Sequence, residues 1–170
     1  MDTMLLRVFQ AHVADQCNAA MMGASQMNVD RRSFDHDVFW IGCQNLCTGA
    51  GNVAKALWGI KGSGLFEPRR PLRESLGVSD NSPLRNVDMR NAFEHLDERI
   101  DEWWGKSGRH RLVDRSVGPL AYFEQRYQEV ERFRIFDPTT MDISFWGTAF
   151  QCSSGLQRGR AHTCSSPGRE

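Results

Sequence analysis

Three residues suited to phosphoryl chemistry lie together in the sequence RNAFEH, residues 90–95. Histidine gives and takes protons near neutral pH. Arginine is a permanent cation whose planar guanidinium fits phosphate oxygens. Arg90, Asn91 and His95 together suit attack of a 2′-hydroxyl on the adjacent RNA phosphodiester. One group takes a proton, one protonates the leaving 5′-oxygen, and the arginine stabilises the charged transition state. This chemistry requires no metal ion or other cofactor.

These residues fall in a segment that we expect to form one amphipathic helix, Leu84 to Trp104. The preceding Asp80-Asn81-Ser82-Pro83 is typical of a helix start. Apolar residues recur at spacings of three and four, which predicts a core face made of Met89, Phe93, Leu96, Ile100 and Trp103. Arg90, Asn91 and His95 lie outside this stripe, so all three are predicted to point away from the core. A site on such a ridge needs a second surface, which a two-fold partner would supply.

The same polar residues are also typical of an ordinary solvated helix face. The segment is dense in charged residues, and the acidic ones are in excess. Arg90 and Glu94 are four residues apart, so they are spaced to form a surface ion pair worth about 0.2–0.5 kcal/mol. Composition alone favours this solvated interpretation, and the acidic excess argues against RNA lying along the whole helix.

The remaining periodicities predict helices first and one antiparallel hairpin afterwards. Gly49 and Gly51 interrupt the apolar seam of the second helix and indicate close packing by another helix. The predicted elements are a helix at 3–22, a connection at 23–32, a helix capped by Ser33 or Asp35 that ends near WGIKGSG (58–64), a short helix within 67–80, and strands at 127–136 and 141–146 joined by a type I turn at 137–140. The fold class is therefore predicted as mainly α.

Charge gives no global signal for nucleic-acid binding. The 170 residues contain 21 basic and 21 acidic side chains, so the net charge is zero and RNA binding would need a local site. Two basic clusters flank the RNAFEH segment and are spaced to track a phosphate backbone, although solvated loops are the simpler interpretation. They are Arg69, Arg70 and Arg73 before it, and Lys106, Arg109 and Arg111 after it.

Composition also bounds the class of protein. No apolar run approaches the length of a membrane span, and charged residues interrupt the N-terminal segment, so we expect no signal peptide, no membrane partner and a cytoplasmic location. The five cysteines are scattered, and only Cys43 and Cys47 are spaced like metal ligands, which disfavours a zinc site. Residues 1–150 are predicted to form a single domain. The polar tail at 151–170 is predicted to be disordered.

The RNAFEH segment resembles the Arg-x4–6-His motif of the HEPN superfamily in its four-spacer form, including the polar residue directly after the arginine. The surrounding SPLRNVDMRNAFEHLDERIDEWW is similar to the fourth-helix region of bacterial HEPN-like proteins, and NVAKALWG is similar to the end of a HEPN second helix. The resemblance covers residues 1–105 in organisation, and its specific part is 80–105.

The resemblance implies an antiparallel four-helix bundle, at 1–108 in this chain, that dimerises along the motif helices. The predicted hairpin region at 109–150 is an addition to that minimal bundle. It implies a metal-independent endoribonuclease, often a toxin or phage-defence effector. Arg90, Asn91 and His95 would be the active residues, contributed by both copies of a homodimer. The implied partners are RNA and a cognate antitoxin protein.

The sequence departs from one part of the family pattern. Some members carry a modified tyrosine two places after the histidine, where this chain has Asp97. Two alternatives to the ribonuclease remain open. One is a non-catalytic HEPN-like module that binds a partner or a small nucleotide through the same dimer cleft. The other is a structural helical domain whose polar face is only solvated.

Overall fold

The computed structural model describes residues 1–27, 34–86 and 88–151, so all but the first residue of the predicted disordered tail lies outside the described residues. The fold is mainly helical, with a small four-stranded sheet near the C-terminal end. The prediction of a mainly α fold class is therefore confirmed. Contacts divide the chain into two compact units, Met1–His95 and Leu96–Glu170. The predicted division into a bundle at 1–108 and a hairpin region at 109–150 stays a prediction.

The first unit is built from helices, and the two long ones start at aspartate caps. Asp2 accepts hydrogen bonds from the backbone N–H groups that follow it, and Asp35, one of the two predicted caps, does the same. Such caps satisfy donors that the first helical turn leaves unpaired. The helices are α1 (Thr3–Gln26), α2 (His36–Trp58), α3 (Arg70–Ser75), the 3₁₀ helix Pro83–Arg85, and α4 (Asp88–Glu94).

The first two helices pack against each other as an antiparallel pair whose backbones approach closely at glycines. A Cβ built on Gly23 would lie 2.5 Å from the carbonyl oxygen of Gly42, and one built on Gly49 would lie 2.7 Å from that of Gln16. The predicted close approach at Gly49 is therefore confirmed. The predicted connection from Gly23 onwards is wrong for 23–26, because Gly23 is a packing position inside α1 and does not end the helix.

The predicted helix from Leu84 to Trp104 is interrupted twice, which corrects the sequence interpretation. Asn86 is extended, and its side-chain oxygen accepts the N–H of Asp88 at 2.9 Å, so it competes with helix continuation and α4 starts afresh. That helix ends at Glu94, and α5 (Leu96–Lys106) begins two residues later. Of the predicted core stripe, Phe93 is buried. The structure describes every residue of α5, and none of them is buried.

The second unit holds the sheet, whose strands follow the order β1-β2-β3-β4. The first pair is parallel and the other two are antiparallel. The predicted hairpin is confirmed as β2–β3, although both strands are shorter than expected, and the sequence analysis missed β1 and β4. After α5 the elements are β1 (Ser116–Val117), α6 (Leu120–Glu124), the 3₁₀ helix Glu129–Glu131, β2 (Arg134–Asp137), β3 (Asp142–Phe145) and β4 (Thr148–Gln151).

Two turns set the register of this sheet. In the predicted turn after β2, Asp137 accepts the N–H of Thr139 at 2.8 Å, and its carbonyl accepts the N–H of Met141. The turn therefore closes one residue later than predicted, with Met141 at a φ of 62°. Between β3 and β4, Trp146 and Gly147 both have positive φ, 49° and 74°, which is the two-residue hairpin pattern that suits the twist of the strands.

Candidate functional site

Arg90 is the predicted site residue whose position differs from expectation. Its side chain is only 11% exposed, and its stem lies on α2 at Gly51. A Cβ built on Gly51 would overlap the Arg90 Cδ atom and lie 2.7 Å from its Cγ. The prediction that Arg90 points away from the core is wrong, because α2 packs on that flank of α4 and its glycine leaves room for the arginine stem.

The guanidinium of Arg90 contacts two neighbours on its own helix. It forms the expected ion pair with Glu94, whose side chain is 35% exposed. Its Nη1 also donates a hydrogen bond to Asn91 Oδ1 at 3.0 Å. The Arg90 Nε is buried and has no hydrogen-bond partner among the residues that the structure describes. Glu94 therefore balances the charge of Arg90, and Arg90 fixes the orientation of the Asn91 amide.

His95 follows the last residue of α4 and is exposed. Its backbone N–H donates to the carbonyl oxygen of Asn91 at 3.0 Å, so the helical hydrogen-bond pattern continues for one residue beyond the helix. Asn91 and His95 therefore stay one turn apart, as predicted. The structure brings the side chains of Arg90 and Asn91 into contact, and it places the backbone of His95 one turn later.

A cavity of about 600 Å³ lies beside the C-terminal end of α2, and Arg90 and Asn91 line it. The helix is capped by Gly59, whose φ of 72° suits glycine and whose N–H donates to the carbonyl of Lys55 at 2.9 Å. The glycine-rich segment at 59–65 forms another wall of the cavity, the glycine-rich wall. The cavity is lined by Ala54, Lys55, Trp58, Gly59, Ile60, Lys61, Gly62, Gly64, Leu65, Phe66, Arg85, Arg90 and Asn91.

This lining is cationic. Lys55, Lys61 and Arg85 join Arg90 on it, and none of the described residues that line the cavity carries a carboxylate. The Arg85 guanidinium lies over the Phe66 ring, 5.0 Å from its centroid, so this cation is held at the wall by a cation–π contact. The sequence analysis recognised WGIKGSG only as a helix stop. The signal that it missed is the pair of lysines there, Lys55 just before that stop and Lys61 within it.

The basic cluster before α4 serves the fold. Arg73 is almost fully buried and donates to the carbonyl oxygens of Leu57 and Phe66, both at 2.8 Å. It also donates from Nε to the carboxylate of Asp80 at 2.6 Å. Arg69 lies over the Phe9 ring, and Arg70 pairs with Glu67. Arg73 therefore cannot track a phosphate backbone, and the other two have protein partners.

The second basic cluster lies in the second unit, at the end of α5 and just after it. Lys106 pairs with Glu102, which also pairs with Arg99. Hydrogen bonds from these two cations lower the pKa of Glu102 below its ordinary value. Arg111 lies over the Tyr127 ring at 4.4 Å, and Arg109 is exposed. A role for Lys106, Arg109 and Arg111 in RNA binding stays a prediction.

The described residues contain no cluster of three or more histidine, cysteine, aspartate or glutamate side chains that could hold a metal ion. Of the cysteines in this part of the chain, Cys17 is exposed, whereas Cys43 and Cys47 are buried, and none of the three forms a disulfide with another described residue. No described helix is both long enough and apolar enough to cross a membrane.

No protein-family model, curated protein or solved structure matches this chain.

Proposed function

We propose that this protein is a metal-independent endoribonuclease of the HEPN type. The observation that carries the proposal is the contact between Arg90 and Asn91 on the lining of a cationic cavity. Arg90 Nη1 donates to Asn91 Oδ1 at 3.0 Å, and both residues line the cavity with Lys55, Lys61 and Arg85. An RNA phosphodiester approaching this surface meets positive charge and a fixed amide, which favours its binding.

Each motif residue has a role in the proposed reaction. His95 takes the proton of the 2′-hydroxyl as that oxygen attacks phosphorus. The bond between phosphorus and the 5′-oxygen breaks, and a second proton-transfer group, which we assign to the same motif in a second copy, protonates the leaving oxygen. Arg90 stabilises the charge that develops on the phosphoryl oxygens, and Asn91 positions the reacting group. The products are a 2′,3′-cyclic phosphate and a 5′-hydroxyl.

The proposal includes an assembly. Two copies form a homodimer along their motif helices, and the helices of each copy belong to an antiparallel four-helix HEPN-like bundle. The protein acts in the cytoplasm as a toxin or phage-defence effector that a cognate antitoxin restrains. These parts of the proposal rest on the resemblance of residues 80–105 to the HEPN motif region.

One observation favours a second candidate, a non-catalytic HEPN-like module that binds a ligand through the same residues. Arg90 is already paired with Glu94, and its side chain is only 11% exposed. For catalysis, a phosphate must replace Glu94 as the partner of the guanidinium. A binding module requires no such exchange, because Lys55, Lys61 and Arg85 can hold an anion while the Arg90–Glu94 pair stays formed.

The test is cleavage of a broad RNA pool in EDTA by the wild-type protein, by His95→Ala and by His12→Ala. His12 is an exposed histidine on α1 and serves as the matched control. Loss of a proton-transfer group lowers the rate by a factor of about 10²–10⁴. We expect His95→Ala to lose cleavage on this scale, His12→Ala to keep it, and the products to carry 2′,3′-cyclic phosphate ends.

Sedimentation of each variant establishes that folded dimers are compared. If the wild-type dimer cleaves no RNA in the pool, the ribonuclease proposal fails and the binding module takes its place. If the protein is a monomer at micromolar concentration, the second proton-transfer group is missing and the composite site is ruled out. Equal cleavage by His95→Ala and the wild type would remove His95 from the mechanism.

A further inference from the structure

The described residues that line the cavity beside α2 carry an excess of positive charge. Lys55, Lys61 and Arg85 line it and form no ion pair with any residue that the structure describes. Arg90, the fourth cation of the lining, is neutralised by Glu94, which lies outside it. Three unbalanced positive charges around one concave surface repel each other, so the surface favours an anionic occupant.

The side chains of these cations also indicate the kind of anion. The planar guanidinium of Arg85 and the two lysine ammonium groups suit the oxygens of a phosphate group. The cations therefore favour an oxyanion.

The rest of the lining indicates what the oxyanion is attached to. Ile60 and Leu65 on the glycine-rich wall are 62% and 37% exposed, so they offer apolar surface next to the cations. The volume of about 600 Å³ exceeds that of a bare phosphate and is of the size that holds a small organic ligand. A phosphate ester with a compact, partly apolar remainder fits both parts of the surface.

We propose that this cavity is a binding site for a small phosphate monoester. The phosphate lies among Lys55, Lys61 and Arg85, while the organic part packs on Ile60 and Leu65. This site goes beyond the proposed ribonuclease activity, because His95 does not line the cavity and binding requires no cleavage.

Isothermal titration calorimetry on the full chain tests the proposal with four probes. Phenyl phosphate and 5′-AMP carry a monoester on an aromatic group, inorganic phosphate has no organic part, and benzyl alcohol has no phosphate. We expect both monoesters to bind, phosphate to bind at least tenfold more weakly, and benzyl alcohol not to bind. Tighter binding of 5′-AMP would identify the ligand class as nucleotides, and tighter binding of phenyl phosphate would identify simpler esters; both support the site.

Variants locate the binding. Lys61→Gln/Arg85→Gln changes two exposed residues of the lining and should weaken phenyl phosphate binding at least tenfold, whereas Arg7→Gln, at an exposed residue of α1, should leave it unchanged. Equal binding of benzyl alcohol, no binding of either monoester to the folded protein, or unchanged affinity in the double variant would overturn the proposal. The cleavage assay in EDTA is read separately, so failure of either proposal is recognised by itself.

Discussion

The aliphatic stem of Arg90 rests on Gly51 of the facing helix α2, a position that has no side chain. A helix normally gains about 1 kcal/mol when an interior glycine becomes alanine. In Gly51→Ala the new methyl group would displace Arg90, whose flexible side chain can swing away. We therefore expect stability to change by less than about 1 kcal/mol, while RNA cleavage falls at least tenfold because the guanidinium is misplaced.

Gly49→Ala provides the contrast for this prediction. Its methyl group would meet the backbone of α1, at 2.7 Å from the carbonyl oxygen of Gln16. Backbone cannot swing away, so this variant should lose about 1–3 kcal/mol of stability. Urea unfolding and cleavage rates, measured on both variants, separate the two effects. Full activity in Gly51→Ala would show that the placement of Arg90 on α2 is irrelevant to the site.

Glu94→Gln should increase the affinity of the cavity for phosphate esters severalfold. The substitution removes the negative charge that neutralises Arg90, and it keeps a side chain of the same shape with one acceptor oxygen. Because the Glu94 side chain is 35% exposed, we expect a stability change of less than about 1 kcal/mol. Calorimetry with phenyl phosphate measures the effect, and Glu74→Gln on α3 is the control with the same change in net charge. Affinity that is unchanged or lower in Glu94→Gln would contradict this view of the ion pair.

Arg73→Leu should destabilise the first unit by about 1–3 kcal/mol. The substitution leaves the carbonyl oxygens of Leu57 and Phe66 without the donor that they share. The remaining partner, Asp80, is half exposed and can be solvated, which limits the loss. Arg70→Leu, which breaks only an exposed pair, should cost at most about 1 kcal/mol. Similar urea midpoints for the two variants would mean that Arg73 does not hold these segments together.

Asp114 should make the second unit sensitive to acid. Burial raises the pKa of Asp114, but hydrogen bonds and charge from Arg134 outweigh it, so the pKa lies below its ordinary value of 3.8. A carboxyl group whose pKa is lowered by folding stabilises the fold above its unfolded pKa, and this stability is lost as the pH falls through the folded pKa. We expect Asp114→Asn to be less stable than the wild type at pH 6.

The difference should shrink as the pH falls below about 4, because the carboxyl group is protonated there in the unfolded wild type and at a still lower pH in the folded protein. Urea midpoints measured across this range check the prediction, with Asp101→Asn, at an exposed residue of α5, as the control. A constant difference between Asp114→Asn and the wild type at every pH would indicate that Asp114 contributes packing and not charge.

Local sequence signals predicted the elements that depend on neighbours along the chain. Aspartate capping at Asp35 and the alternation of β2 and β3 follow from residues within one turn or one strand. The interruption at His95 could not be predicted, since no glycine or proline lies between Leu84 and Trp104. The turn at Trp146-Gly147, and with it strand β4, was missed because a tryptophan at positive φ is rare outside such a hairpin.

The site was predictable only in part, for the same reason. Arg90 and Asn91 could be identified because the motif is contiguous. The cavity brings together Lys55 and Arg85, which are thirty residues apart, and their proximity depends on how the chain returns after α3. The helical wheel placed Arg90 outside the apolar stripe, on one flank of the outward surface. At that position the presence of a glycine on the facing helix decides whether the side chain is buried.

The three acceptors of Arg73 have a consequence for how this part of the protein opens. Leu57 and Phe66 lie on either side of the glycine-rich wall, and Asp80 lies beyond α3. One buried side chain thus ties the end of α2, the loop and the chain after α3 into a single cooperative unit. Amide hydrogens on these segments should exchange with solvent together, in one opening event, and not as a separately fraying loop.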